Sequence, residues 1–323
     1  MHPRIIVAAN PLHDLDVMLE LAPPDFDIAV APSGSTELLS ALAEAEFLVG
    51  MADTPMDHAF YRRAPRLRLV QLLSAGYDRI DIEAARRAKV PVCNNGGANA
   101  VAVSEHALLL MLAVSRRLHW LHANVLAGRW RGNDVASLRL YELSGRTLGI
   151  VGLGTIGKKT ARLARAFGMI VQYYDIVRLT EDQADTLGVR FRLLGELLRT
   201  SDFVSLHVPF TRETKHMIGA DELSLMKRTA YLINTCRGPV VDECALHAAL
   251  ANGSIAGAGL DVFEQEPPET NNPLFALPNV VLSPHFAGGT LESQYARFRN
   301  AFDNVRRVAR GRAPLWLIPE LVG

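Results

Sequence analysis

Residues 152–157 read Gly-Leu-Gly-Thr-Ile-Gly, directly after the apolar run Thr147–Val151 and before a helical pattern. A strand that feeds a glycine turn and then a helix is the arrangement that binds a dinucleotide pyrophosphate. Gly152 permits the tight turn, Gly154 removes a side chain that would block the phosphates, and Gly157 lets the helix lie close to the strand. The N–H groups that open the helix, at Thr155 and Ile156, then face the negative charge. The next apolar run, Ile170–Tyr174, delivers Asp175, whose carboxylate is placed to accept hydrogen bonds from the adenosine-ribose hydroxyls. A 2′-phosphate would meet like charge there, so the expected cofactor is NAD rather than NADP. Arg178, the one nearby cation that favours a 2′-phosphate, reads as a solvated loop charge.

The alternation extends to both sides. Short β-like runs at Ile5–Ala9, Ile28–Ala31, Phe47–Gly50, Leu69–Leu73 and Val90–Cys93 alternate with helical segments such as Ser35–Ala45 and Ile82–Ala88. From Thr147 the pattern repeats through Ile156–Phe167, Leu193–Thr200, Phe203–Val208, Tyr231–Asn234, Glu243–Ala251, Ala256–Val262 and Val280–Leu282. The expected fold is α/β with two Rossmann-like domains: a doubly wound parallel-sheet NAD-binding domain and a smaller flavodoxin-like substrate domain. A last helix, Leu291–Arg310, is expected to return to the first domain, giving a discontinuous substrate domain of residues 1–99 and 289–323 around an NAD-binding domain of residues 100–288. One long helix is expected from an Asn99 cap to about Ala127, ended by Gly128, linking the domains and forming a homodimer interface with the adjoining segment. Just beyond it, Trp130 and Arg131 either reach a neighbouring subunit's active site or pack the helix end.

A chain of 323 residues with 49% hydrophobic content can fill two cores. Lys plus Arg and Asp plus Glu both number 34, so no net field draws nucleic acid or anionic lipid, and a small-molecule partner is expected. No apolar run approaches the roughly 18 residues of a membrane span, and the N-terminus has no signal pattern. Cys93, Cys236 and Cys244 are odd in number without metal-ligand spacing, which suits inert core thiols in a reducing cytoplasm. Cys236 is the exception, placed to make the protein sensitive to alkylation. His119 and His122 share a helix face but have no third ligand, so no metal site is expected. Arg297, Arg299, Arg306, Arg307, Arg310 and Arg312 read as the polar face of the last helix, opposite Phe298, Phe302, Val305 and Val308.

Three further clusters fall at expected strand ends: Asn234 to Gly238, Asp261 to Pro268, and Ser283 to His285. Hydride exchange with a nicotinamide needs a group that moves the proton on the substrate oxygen, and a cation that holds an anionic substrate. His285 and Arg237 have those chemistries, since imidazole titrates near neutrality and guanidinium forks onto a carboxylate. Glu266 is suited to stabilise the protonated imidazole. Taken singly, each reads as readily as a loop hydrogen-bonder, a surface charge or a solvated turn residue.

Their order after the glycine fingerprint resembles the D-isomer-specific 2-hydroxyacid dehydrogenases. The likeness runs from about Leu69 to His285 through Gly76-Tyr77-Asp78, Asn94 to Gly97 with Asn99, Ser104-Glu105-His106, the fingerprint, His207-Val208-Pro209 with Thr211 and Thr214, Asn234 to Gly238, Gly259 to Phe263 with Glu266 and Pro267, and Ser283-Pro284-His285. The resemblance implies that Arg237 binds substrate, His285 is the acid/base and Glu266 its partner. It implies a substrate carboxylate at the backbone of Ala75, Gly76 and Tyr77, with Met51 in a substrate-facing loop. Asp261 would hold the nicotinamide carboxamide, and His207, Pro209, Thr214, Thr235, Cys236 and Ser104 belong to the cofactor cleft.

Within that family, Glu266 separates the chain from formate dehydrogenases, which resemble the layout but carry glutamine there. Met51, Ala52, Asp53 and Thr54 lack the arginine that phosphoglycerate-type members use for a phosphate. Phosphite dehydrogenases share the methionine but place a lysine where this chain has Ser74. A small 2-hydroxy or 2-oxo acid, such as glyoxylate, hydroxypyruvate or a branched 2-oxo acid, is the expected substrate. The rival class is an NAD-responsive interaction scaffold of the corepressor type, which keeps the same three side chains.

Overall fold

The computed structural model describes residues 2–51, 53, 55–130 and 138–322. Ala52, Thr54 and Arg131, named above, lie outside them. The chain divides into two compact units, Met1–Asn99 with Gly289–Gly323 and Ala100–Gly288.

The first unit opens with β1 (Arg4–Ala9), α1 (Leu15–Leu21), β2 (Asp27–Pro32), α2 (Thr36–Ala41) and β3 (Phe47–Gly50). It continues with α3 (His58–Arg63), β4 (Leu69–Leu72), α4 (Ile82–Ala88) and β5 (Val92–Cys93). Capping side chains start the helices: Asp14, Ser35, Asp57 and Asp81 each accept from backbone N–H groups of the first turn. The inner strands β3 and β4 are buried along their whole length because both faces of the sheet are covered there, whereas the edge strand β2 is largely open. Ile6, Leu48 and Val70 join one core, while Ile5, Val7, Phe47 and Leu69 join the other. The five strands are parallel in the order β2-β1-β3-β4-β5, the flavodoxin-like winding.

The second unit begins with α5 (Ala100–Ser115) and α6 (Leu118–Leu126), where one continuous helix was expected. Ser115 turns its hydroxyl back onto the Met111 carbonyl at 2.7 Å, and Arg117 adopts a left-handed φ of 49°, which ends the helical ladder. The helical apolar spacing runs on across this break, so periodicity does not reveal it. Gly128 does close α6, with φ 71°.

The doubly wound sheet follows: β6 (Thr147–Val151), α7 (Thr155–Ala166), β7 (Ile170–Tyr174), α8 (Glu181–Leu187), β8 (Val189–Phe191), α9 (Leu194–Thr200) and β9 (Phe203–Leu206). Then come α10 (Ala220–Leu225), β10 (Tyr231–Asn234), α11 (Glu243–Ala251), β11 (Gly257–Leu260) and β12 (Val280–Leu282). All seven strands are parallel, in the order β12-β11-β10-β9-β6-β7-β8. The winding reverses between β6 and β9, where open α/β sheets form their ligand crevice. The fold class is the one expected, with α8, β8 and α10 added where no element was anticipated.

Finally α12 (Leu291–Ala309), capped by Thr290, belongs to the first unit. Phe298, Phe302 and Val305 enter its core beside Val7 and Leu69. Arg297 departs from the expected polar face: it is 8% exposed and lies on the buried stripe. Cys93 is buried, but Cys244 is exposed, so the expectation of three core thiols fails there.

Candidate active site

The carboxyl ends of the seven parallel strands bring together residues scattered from 152 to 285. After β6, Gly152 has φ 94°, and a Cβ on it would stand 2.7 Å from the His207 carbonyl. A Cβ on Gly157 would meet the Gly152 carbonyl oxygen at 2.2 Å, whereas one on Gly154 would meet nothing within 4 Å. Two glycines therefore serve the chain's own packing. The third faces open space at the start of α7, where Thr155 and Ile156 present helix-terminal N–H groups.

Asp175 follows β7 and accepts from Leu153 N–H at 2.6 Å and Val177 N–H at 2.9 Å. These bonds fix the carboxylate beside the glycine turn. Arg178 is not merely solvated: its guanidinium stacks 4.3 Å above the Phe191 ring.

Two buried polar atoms in this crevice have no hydrogen-bond partner, His207 Nδ1 and Thr235 Oγ1. The other ring nitrogen of His207 lies 2.9 Å from Ser205 Oγ. Burial pushes the imidazole down to about 4, so it is neutral at physiological pH. Orphaned groups of this kind are costly unless a ligand satisfies them. Together with the open space at Gly154, they fit a nicotinamide dinucleotide. Nearby, Thr214 Oγ1 donates to the Pro209 carbonyl at 2.7 Å and shapes that loop. Ser104 is buried on α5 and spends its hydroxyl on the Val101 carbonyl.

After β10, Cys236 N–H donates to Asn234 Oδ1, and Asn234 Nδ2 donates to the Arg237 carbonyl, which folds residues 234–237 into a tight turn. A Cβ on Gly238 would overlap the Phe263 carbonyl at 1.8 Å, so this turn lies against the backbone of the next one. Arg237 Nη1 donates to the Cys236 carbonyl at 2.7 Å. Burial pushes the Cys236 thiol up to about 11, which disfavours its thiolate.

After β11 and β12, His285 Nδ1 and Glu266 Oε2 are 2.7 Å apart. The other carboxylate oxygen of Glu266 accepts from Phe263 N–H at 3.1 Å. Burial of Glu266 opposes its charge, but the hydrogen bond and charge of His285, the Phe263 N–H and the Arg237 charge outweigh it and hold the carboxyl below its ordinary value. Asp261 is 1% exposed, and both its carboxylate oxygens accept from the chain itself, at Phe286 and Ala287 N–H.

Contacts that the sequence did not indicate brace these loops. Glu264 pairs with His216, and the N–H of Glu264 donates to Glu243 Oε1 at 2.5 Å. No local spacing signals either contact.

In the first unit, Met51 follows β3, and Ala75, Gly76 and Tyr77 follow β4, at the carboxyl edge of the five-stranded sheet. Ser74 Oγ donates to the Gly76 carbonyl at 2.7 Å, which shapes that loop.

Residues 108–287 match the family described as D-isomer specific 2-hydroxyacid dehydrogenase, NAD binding domain. The chain belongs to the D-isomer specific 2-hydroxyacid dehydrogenases. It is 41% identical to a glyoxylate reductase of Korarchaeum cryptofilum, covering 100% of this chain and 97% of that one. It is similar in structure to D-lactate dehydrogenase of Aquifex aeolicus, solved with NAD and lactic acid: TM-score 0.83, 31% identity, 95% of this chain and 96% of that one. It is also similar to an NADPH-dependent glyoxylate/hydroxypyruvate reductase of Sinorhizobium meliloti, solved with NADP and malonate: TM-score 0.84, 29% identity, 99% of this chain and 98% of that one. This member of the family is an oxidoreductase that uses a nicotinamide dinucleotide. Among the described residues, no helix is long and apolar enough to cross a membrane.

Proposed function

We propose that this dehydrogenase exchanges hydride between NAD and C2 of a small D-2-hydroxy or 2-oxo acid, with glyoxylate the first substrate to test. The observation that carries the reading is the 2.7 Å pair of His285 and Glu266, with the Arg237 charge felt at the same carboxylate. The nicotinamide supplies or accepts the hydride at C2. Arg237 holds the substrate and polarises its keto oxygen. In reduction, the His285 imidazolium gives its proton to that oxygen; in oxidation, neutral His285 removes the hydroxyl proton. Glu266 orients the ring and stabilises its charged form. The backbone at Ala75, Gly76 and Tyr77 receives the substrate carboxylate, with Met51 beside it. His207, Pro209, Thr214, Thr235, Cys236 and Ser104 belong to the cofactor cleft.

NAD rather than NADP is supported by Asp175, whose charge opposes a 2′-phosphate, and by Arg178, whose guanidinium lies on Phe191. Residues 1–99 with 289–323 would act as the substrate domain, and residues 100–288 as the cofactor domain. We further propose a homodimer through α5 and α6, in the cytoplasm. Leu126 and Trp130, 76% and 79% exposed, and the exposed Val101, Leu109, Leu118 and Val125 are apolar side chains on or just beyond these helices that a second copy would cover.

The test is NADH oxidation, followed by absorbance, against a panel of 2-oxo acids with His285→Ala as control. Turnover that disappears in the variant supports the reading. NADH binding without turnover across the panel favours the scaffold reading instead.

A further inference from the structure

His285 sits in a left-handed backbone conformation, φ 52°, which residues other than glycine seldom adopt. Asp261 holds it there. The Asp261 carbonyl accepts from His285 N–H at 2.6 Å. Its Oδ1 accepts from Phe286 N–H at 2.9 Å and from the Ser283 hydroxyl at 2.6 Å, and its Oδ2 accepts from Ala287 N–H at 2.9 Å. Four of the hydrogen bonds that hold the turn presenting the imidazole therefore end on one aspartate.

A third residue completes the arrangement from another element. His106 Nε2 on α5 lies 2.9 Å from Ser283 Oγ and 3.7 Å from Asp261 Oδ1. Because Ser283 gives its only proton to Asp261, the imidazole must be the donor to Ser283, which assigns the hydrogen to Nε2 of His106. Histidine, serine and aspartate together have the composition of a hydrolase triad, but here the serine proton points at the carboxylate. The serine is not activated for attack.

Close packing lets His106 reach this far. A Cβ on Gly259 would stand 2.8 Å from Leu110 Cβ, and one on Gly257 would stand 3.1 Å from Val114 Cγ2. Leu110 and Val114 lie one and two turns along α5 from His106. The glycines of β11 thus admit the helix against the sheet and set the imidazole at the Ser283 hydroxyl.

We infer that His106 is a positioning residue for His285, acting through Ser283 and Asp261. The inference rests on His285 being the acid/base. Without the His106 hydrogen bond, Ser283 is free to rotate off Asp261, and the turn loses one of the bonds that aim the imidazole. Dinucleotide binding at the glycine turn is left alone.

The experiment compares His106→Leu, His106→Gln and Ser283→Ala in steady-state glyoxylate reduction, with NADH affinity measured separately by fluorescence. His106→Leu and Ser283→Ala should each lower kcat on the order of tenfold, because small displacements of a reacting group are expensive. NADH affinity should stay within about twofold, since no bond to the cofactor crevice is removed. His106→Gln should recover most of kcat, because its amide nitrogen can occupy the place of Nε2. The double variant His106→Leu, Ser283→Ala should be no worse than either single change, as members of one chain of bonds are non-additive. Wild-type kcat in both single variants, a His106→Gln as impaired as His106→Leu, or a loss confined to NADH affinity overturns the inference. If His106→Leu does not fold, His106→Asn, whose shorter amide does not reach Ser283, takes its place beside His106→Gln. An inactive wild type would instead remove the functional reading and this inference with it.

Discussion

The Glu266 carboxylate lies 2.7 Å from Nδ1 of His285, a residue nineteen positions further along the chain. The hydrogen bond and charge of His285 help hold Glu266 ionised. Replacing Glu266 by Gln keeps the shape and removes the charge. At neutral pH, kcat for 2-oxo acid reduction should fall on the order of tenfold, because the imidazole loses its anionic partner. Wild-type kcat in this variant would exclude the charge as a contributor.

The glycine turn offers a separation of folding from binding. Gly154→Ala adds a Cβ that meets nothing within 4 Å, so thermal stability should match the wild type within a few degrees while NADH affinity falls on the order of tenfold or more. Gly157→Ala drives a Cβ to 2.2 Å from the Gly152 carbonyl oxygen and should destabilise the protein by about 1–3 kcal/mol. Melting curves and NADH titrations of the two variants check this. Equal loss of stability in both would show that Gly154 is also required for packing.

Asp175 should govern the choice of dinucleotide. The wild type is expected to prefer NADH over NADPH, and Asp175→Ser should narrow the ratio of kcat/KM values by about tenfold through loss of charge repulsion. The effect should be incomplete, since Asp175 also accepts from Leu153 and Val177 N–H groups. A wild type that turns over NADPH faster than NADH would reverse the assignment.

Two buried histidines should make stability sensitive to acid. Burial takes His13 and His207 from 6.5 down to about 4. Between those values the unfolded chain binds protons that the folded chain refuses. Their contribution is therefore complete above about pH 6.5 and is lost as pH falls toward 4, on the order of 3 kcal/mol for each residue. Urea unfolding at pH 7 and pH 4.5 measures it, and His13→Gln with His207→Gln should flatten the difference. Equal stability of the wild type at both values would refute the prediction.

The homodimer is checked by light scattering, where twice the chain mass of 35.4 kDa is expected and Leu126→Glu with Trp130→Glu should yield monomers. A monomeric wild type would remove the proposal.

Local signals made the cofactor crevice legible. The spacing of Gly152, Gly154 and Gly157 between a strand and a helix is dictated by phosphate geometry, and Asp175 falls at the next strand end. The pairing of Glu266 with His285 was suggested by the chemistry of the two groups and singled out by family resemblance, because the fold joins them and no local rule does. The break at Arg117 left no mark, since the apolar spacing of α5 continues into α6. Burial of Arg297 was hidden by a residue type that is ordinarily solvated. The bond between His106 and Ser283 spans 177 residues and has no sequence signature at all.

The core of the first unit takes Phe298, Phe302 and Val305 from α12, and Leu317 forms a bridge with Cys93. Synthesis proceeds from the N-terminus, so the opening ninety-nine residues of this unit emerge without the aromatic side chains that fill one face of their sheet. The second unit, contiguous from Ala100 to Gly288, has all its residues first. On the ribosome the order of completion is thus inverted between the two units: the one whose strands emerge earlier is the one that must wait.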